Sequence, residues 1–161
     1  MSEAPATLVA LAKTTAANLN LDGVLVCAIV EQESSWDTWS MRYEPEFRAR
    51  YVAPMGLPAT AEIARSISWG LMQLMGEVAR ELGFTGQLAQ LCEPATGLYW
   101  GCRAFALKLK AAANQGSQVD GESSLGEWTR ALELWNGGGN PQYAAQVIAR
   151  RKNYSATDEH G

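Results

Sequence analysis

The chain has 161 residues, 47% of them hydrophobic and 19% charged, with a formal net charge of −4. This is the composition of a soluble globular domain with a sizeable core, and the length fits one domain over 1–161. The negative balance excludes a bulk electrostatic grip on nucleic acid or on an anionic membrane surface. No segment approaches transmembrane length, so stable membrane insertion is not expected. The N-terminal stretch lacks a positive n-region and a strong apolar h-region, so no signal peptide is read there.

In chain order, Thr7–Leu19 is rich in Ala and Leu and predicts a helix. Asp22 is a suitable N-cap for a second helix over Gly23–Ser34. Its stretch Val24–Val30 is apolar on every side, the pattern of a buried helix. The periodicity then fades from Trp36 to Pro58, with a short helix expected over Glu46–Tyr51. An irregular stretch of that length is often functional. Ala59–Arg65 reads as helix, Trp69–Leu74 as an apolar turn or strand, and Gly76–Leu82 as helix ending at Gly83. Pro94 opens a long helix to about Ala113. Asn114–Ser124 reads as a polar linker, Leu125–Trp135 as helix, and Asn140–Pro141 as the start of a last helix to Tyr154. The predicted fold is mainly α, a helical domain around one buried central helix with at most a small sheet. Its core spans about 21–154, and 155–161 reads as a flexible tail.

The buried helix ends in Glu31-Gln32-Glu33, so two carboxyls stand where a core helix leaves the core. Burial and the negative end of the helix dipole both favour a protonated carboxyl, the state a general acid requires. Each glutamate stacks one turn from apolar residues, so periodicity does not choose between them. The only histidine, His160, falls in the polar tail, which leaves serine or cysteine nucleophiles without a base. The three cysteines, Cys27, Cys92 and Cys102, lack metal-ligand spacing and read as buried free thiols, with a Cys92–Cys102 bridge as the alternative. No metal or cofactor is expected. Arg150-Arg151-Lys152 reads as a solvated last helical turn.

Four motifs occur in order. Glu33-Ser34 follows the apolar run, and Gly70-Leu71-Met72-Gln73 follows the irregular stretch. Leu134-Trp135-Asn136-Gly137-Gly138 comes next, and Tyr143-Ala144-Ala145-Gln146-Val147 closes the series. Together they resemble the soluble lytic transglycosylase and goose-type lysozyme superfamily, and the segment Arg42–Phe47 looks like an insert of phage or prophage members. Gly97 stands where that family usually has Asn, and Trp135 where it has Tyr. The resemblance implies a lysozyme-like α+β domain, monomeric, that cleaves the N-acetylmuramic acid–N-acetylglucosamine bond of peptidoglycan and leaves a 1,6-anhydro sugar. It assigns Glu33 as acid and then base, with Ser34, Met72, Gln73, Trp135, Asn136 and Tyr143 around the substrate.

Goose-type lysozymes carry an Asp where this chain has Met75, which favours the transglycosylase. Asp37, Glu44 or Glu46 would supply a second carboxylate if the outcome were hydrolysis. The alternatives are thus a lysozyme-like hydrolase of the same bond and a catalytically silent peptidoglycan-binding module. Trp36, Trp69 and Trp135 are the tryptophans nearest the motifs and could offer flat faces to sugar rings, although Trp is more often core. With no signal peptide read, the expectation is a protein made in the cytoplasm that reaches the cell wall through a holin or within a virion.

Overall fold

The computed structural model describes residues 4–116 and 124–155; His160 and most of the expected tail lie outside them. The elements are mainly helical. Helix α1 (Ala6–Asn18) leads through a left-handed Asn20 into α2 (Gly23–Ser34). Asp22 caps α2 by accepting a hydrogen bond from the Leu25 amide at 2.7 Å. All six residues from Leu25 to Val30 are buried, so α2 is the central helix that its apolar run predicts. Fully burying each of its larger aliphatic side chains contributes about 1.5–3 kcal/mol.

Within the irregular stretch lie a strand β1 (Met41–Tyr43), a short helix α3 (Pro45–Phe47), a π turn over Arg48–Val52 and a 3-10 turn over Ala53–Met55. Helix α4 (Ala59–Arg65) is followed by strands β2 (Ile67–Trp69) and β3 (Leu74–Met75), then by helix α5 (Gly76–Glu81). The sheet is antiparallel in the order β1-β2-β3, with Arg42 opposite Ser68 and Trp69 opposite Leu74. A 3-10 turn over Leu88–Cys92 precedes α6 (Pro94–Gly116). The chain closes with α7 (Ser124–Asn136), α8 (Tyr143–Arg150) and α9 (Lys152–Ser155).

Two apolar clusters form the core. The larger gathers α1, α2, α6, α7 and α8 around Ile29, Phe105, Leu132 and Val147. The smaller packs Trp69, Leu74, Phe84 and Leu91 beneath the sheet. Trp135 packs against both, which places it at their seam. The three cysteines are buried and free, so no Cys92–Cys102 bridge exists.

Three expectations need correction. The irregular stretch contains a strand, which its lack of alternating polarity hides: Met41, Arg42 and Tyr43 are all exposed. The last helix breaks at Arg151 into α8 and α9. The basic cluster is not a solvated turn: Arg150 bonds Glu31 and Gln32, and the Arg151 guanidinium lies 4.3 Å from the Trp128 ring centroid. Among the described residues no helix is long and apolar enough to cross a membrane.

Candidate active site

Helix α2 ends abruptly. Ser35 and Trp36 both adopt left-handed backbone angles, with φ of 50° and 66°. Such residues carry strain that persists only where surrounding contacts enforce it, and it gathers at functional sites. Here the enforcing contacts are visible. Trp36 is buried and donates its indole N–H to the Tyr154 hydroxyl at 2.8 Å. The Ser34 hydroxyl bonds the Val30 and Leu71 carbonyls, fastening the helix end to the turn between β2 and β3.

The two glutamates at this end have opposite surroundings. Glu31 is held by donors on both oxygens: Arg150 at 2.8 Å on Oε1, Tyr154 at 2.6 Å on Oε2, and Asn153 on each. Burial alone would raise its pKa, but the bonds from Tyr154, Asn153 and Arg150, with the Arg150 charge, outweigh it and hold the carboxyl below its ordinary value. Glu31 is thus favoured as the anion, and it clamps α2 to α8 and α9.

Glu33 is arranged differently. Its Oε1 accepts the Tyr143 hydroxyl at 2.5 Å and the Trp135 indole N–H at 3.0 Å. Oε2 takes no hydrogen bond from the described residues. Burial pushes the Glu33 pKa up, while the Tyr143 and Trp135 bonds and the Arg42 charge push it down; burial wins and the net direction is upward. Environments that separate two carboxyl pKa values in this way mark acid and base assignments. The two carboxyls that periodicity leaves equivalent are thus set apart by their surroundings. Glu33 can carry a proton on the oxygen left without a partner, and the carboxylate that forms meets two donors already in place.

The other motif residues are placed as follows. Trp135 sits in α7 and makes an edge contact with Phe105 at 5.7 Å between ring centroids, which fixes the indole that reaches Glu33. Tyr143 opens α8 and is buried. Burial and the adjoining Glu33 carboxyl hold its hydroxyl protonated far above the ordinary tyrosine range, so it acts as a donor. Asn136 does not touch Glu33; its amide donates to the Asn140 carbonyl at 3.0 Å and shapes the turn between α7 and α8.

No protein-family profile, curated protein or solved structure matches this chain.

Three expected substrate contacts have their side chains engaged within the protein. Ser34 uses its hydroxyl on backbone carbonyls and reaches neither carboxyl oxygen of Glu33. Met72 is 1% exposed and fills core space against Cys102 and Gly101, because its turn dips inward rather than lining a groove. Gln73, with a left-handed φ of 49°, donates its amide to the Ser40 and Gly70 carbonyls and accepts from Ser68, so its polar atoms hold the hairpin together.

The suspected second carboxylates are also accounted for. Glu44 pairs with Arg42 at 2.5 Å, Glu46 is exposed on α3, and Asp37 caps the Trp39 amide. The charge that acts on Glu33 is the cation Arg42. Trp36 and Trp69 are core residues, whereas Trp39, not singled out in the sequence, is 72% exposed.

Two glycines explain how the turn approaches the long helix. Gly70, at φ 69°, and Gly97 each lie so close to the Leu91 carbonyl that an added Cβ would meet its oxygen at 2.2 Å. The Gly at position 97 is therefore dictated by space. Among the described residues no group of His, Cys, Asp or Glu is placed to hold a metal ion. A shallow depression of about 450 Å³ lies elsewhere, lined by Arg65, Glu77, Arg80, Glu81, Phe84 and Thr85, and does not include Glu33.

Proposed function

We propose that this protein is a lytic transglycosylase of peptidoglycan, with Glu33 as its single acid and base. The observation that carries the reading is the Glu33 carboxyl itself: buried, raised in pKa, gripped on Oε1 by Tyr143 and Trp135, and without a hydrogen bond from the described residues on Oε2. Protonated Glu33 gives its proton to the glycosidic oxygen as the bond from the muramic acid C1 to that oxygen breaks. The positive charge that develops on the sugar ring faces the newly formed carboxylate. That carboxylate then takes the proton from the C6 hydroxyl of the same muramic acid while O6 bonds to C1. The product is a 1,6-anhydro sugar, and Glu33 is returned to its protonated state. No water is consumed, so no second carboxylate is required. The absorption of Glu44 by Arg42, and the positive sign of the charge that acts on Glu33, support this outcome over hydrolysis.

The test is mass spectrometry of the soluble products from purified peptidoglycan, with Glu33→Gln as control. Anhydro-muropeptides, one water lighter than hydrolysis products and absent with the variant, are expected. Reducing-end muropeptides would replace the reading with a lysozyme-type hydrolase. Unchanged peptidoglycan binding without any products from the natural chain would replace it with a binding module.

A further inference from the structure

Arg42 is the feature of the site that the catalytic cycle above does not use. It lies in the middle of β1, the edge strand of the sheet, opposite Ser68. A short set of hydrogen bonds ties this strand to the acid. Ser34, next to Glu33, bonds the Leu71 carbonyl; the Gly70 amide and the Gln73 side chain both bond the Ser40 carbonyl, two residues before Arg42. The strand is thus fixed relative to the end of α2. The Arg42 side chain is 71% exposed, yet its charge is felt at Glu33. Glu44, 30% exposed, engages only the guanidinium Nε. The two terminal amino groups have no partner among the described residues and face open solvent.

A cation that Glu44 engages only at Nε is still unfavourable beside a reaction that builds positive charge on a sugar ring. It also works against the general acid, since it favours the ionised form of Glu33. Both costs fall when a second anion settles on the free terminal edge of the guanidinium. The terminal edge of an arginine is a planar two-point donor suited to a carboxylate. Glu44 sets the plane of that fork while leaving the edge free. In a chain of net charge −4, such a cation at the site selects for negative charge on the ligand rather than serving bulk attraction.

Resting on the transglycosylase reading, we propose that Arg42, oriented by Glu44, is a specificity residue that binds a carboxylate carried by the glycan strand beside the scissile bond. The carboxylate has two sources: the lactyl group of peptide-free muramic acid, or the stem peptide. Glu44 is a positioning residue that acts through Arg42. Neutral glycans of the same sugar length lack the group and are discriminated against.

The experiment is calorimetric binding by the full chain in a Glu33→Gln background, which prevents turnover. The ligands are peptide-bearing glycan fragments, the same fragments stripped of peptide, and both after chemical amidation of their carboxyls. With Arg42 intact, carboxylated fragments are expected to bind about tenfold tighter than their amidated forms. Arg42→Gln, at an exposed position, is expected to abolish that difference without altering affinity for amidated fragments; Arg42→Lys is expected to retain part of it. Whichever unamidated fragment loses affinity identifies the source of the carboxylate. Equal losses on carboxylated and amidated fragments, or no loss on either, would overturn the assignment of Arg42 while leaving the glycan reading intact. Failure of every fragment to bind the chain with Arg42 present would overturn both.

Discussion

Replacing Tyr143 with Phe isolates one of the opposing influences on Glu33. The hydroxyl donates to Oε1 at 2.5 Å, beside the Trp135 bond at 3.0 Å. Both bonds favour the carboxylate, whereas burial favours the acid. A hydrogen bond to a charged group contributes about 1.5–3 kcal/mol, and one pH unit corresponds to about 1.4 kcal/mol. Losing the hydroxyl while the ring still fills its place should therefore raise the Glu33 midpoint by about one to two pH units. The direct assay is carboxyl-detected NMR titration of the full chain with labelled glutamate, compared between the natural chain and Tyr143→Phe. The activity counterpart is an alkaline limb of kcat/KM displaced upward by the same amount, with kcat lowered because the carboxylate formed in the first step has lost its shortest donor. A midpoint that stays in place or falls would refute the reasoning, since it would mean that Tyr143 does not act on the ionised form.

Other outcomes follow from the same geometry. Glu31→Gln should cost about 2 kcal/mol at neutral pH through the lost charged hydrogen bonds. Because the folded carboxyl is held below its ordinary value, that contribution is complete above the unfolded carboxyl pKa of about 4.3 and fades as pH falls through the folded value. Urea denaturation at pH 7 and at pH 3 checks this, and an equal gap at both pH values would contradict it. Gly97→Ala drives a Cβ onto the Leu91 carbonyl and should destabilise by about 3 kcal/mol. Calorimetry should then show a Tm lower by roughly 6–12 °C, and an unchanged Tm would show that the backbone yields freely. Burial pushes the Cys27 thiol up to about 11 and Cys102 up to about 12, and raises Cys92 as well. Native protein should resist alkylation at neutral pH and the unfolded chain should take up three alkyl groups; rapid labelling of the native form would contradict the buried, protonated state.

The helices were legible because their signals are local. Asp22, the continuous apolar run to Val30, Gly83 and Pro94 each mark a boundary that the structure places within a few residues of the expected one. Strand β1 was not legible, since an exposed three-residue edge strand exists only through its pairing with β2. At the site, the resemblance gathers Tyr143 and Glu33 around one substrate, and the geometry brings them into direct contact. The roles of Ser34, Met72 and Gln73 could not. A hydroxyl, a thioether and an amide read the same in sequence whether they face a ligand or a backbone carbonyl. Glu31 and Glu33 were equivalent by periodicity because what separates them is supplied from beyond position 130: Arg150, Asn153 and Tyr154 for one, Trp135 and Tyr143 for the other.

That last separation orders events during synthesis. Glu33 leaves the ribosome 102 residues ahead of Trp135 and 110 ahead of Tyr143. The nascent chain can cap α2 through Asp22 from the outset, since that bond spans only three residues. The proton-holding state of Glu33, by contrast, waits for α7 and α8 to emerge and dock. A growing chain therefore carries an ordinary surface glutamate at position 33 for most of its translation. The acid comes into being only when the final helices close over it.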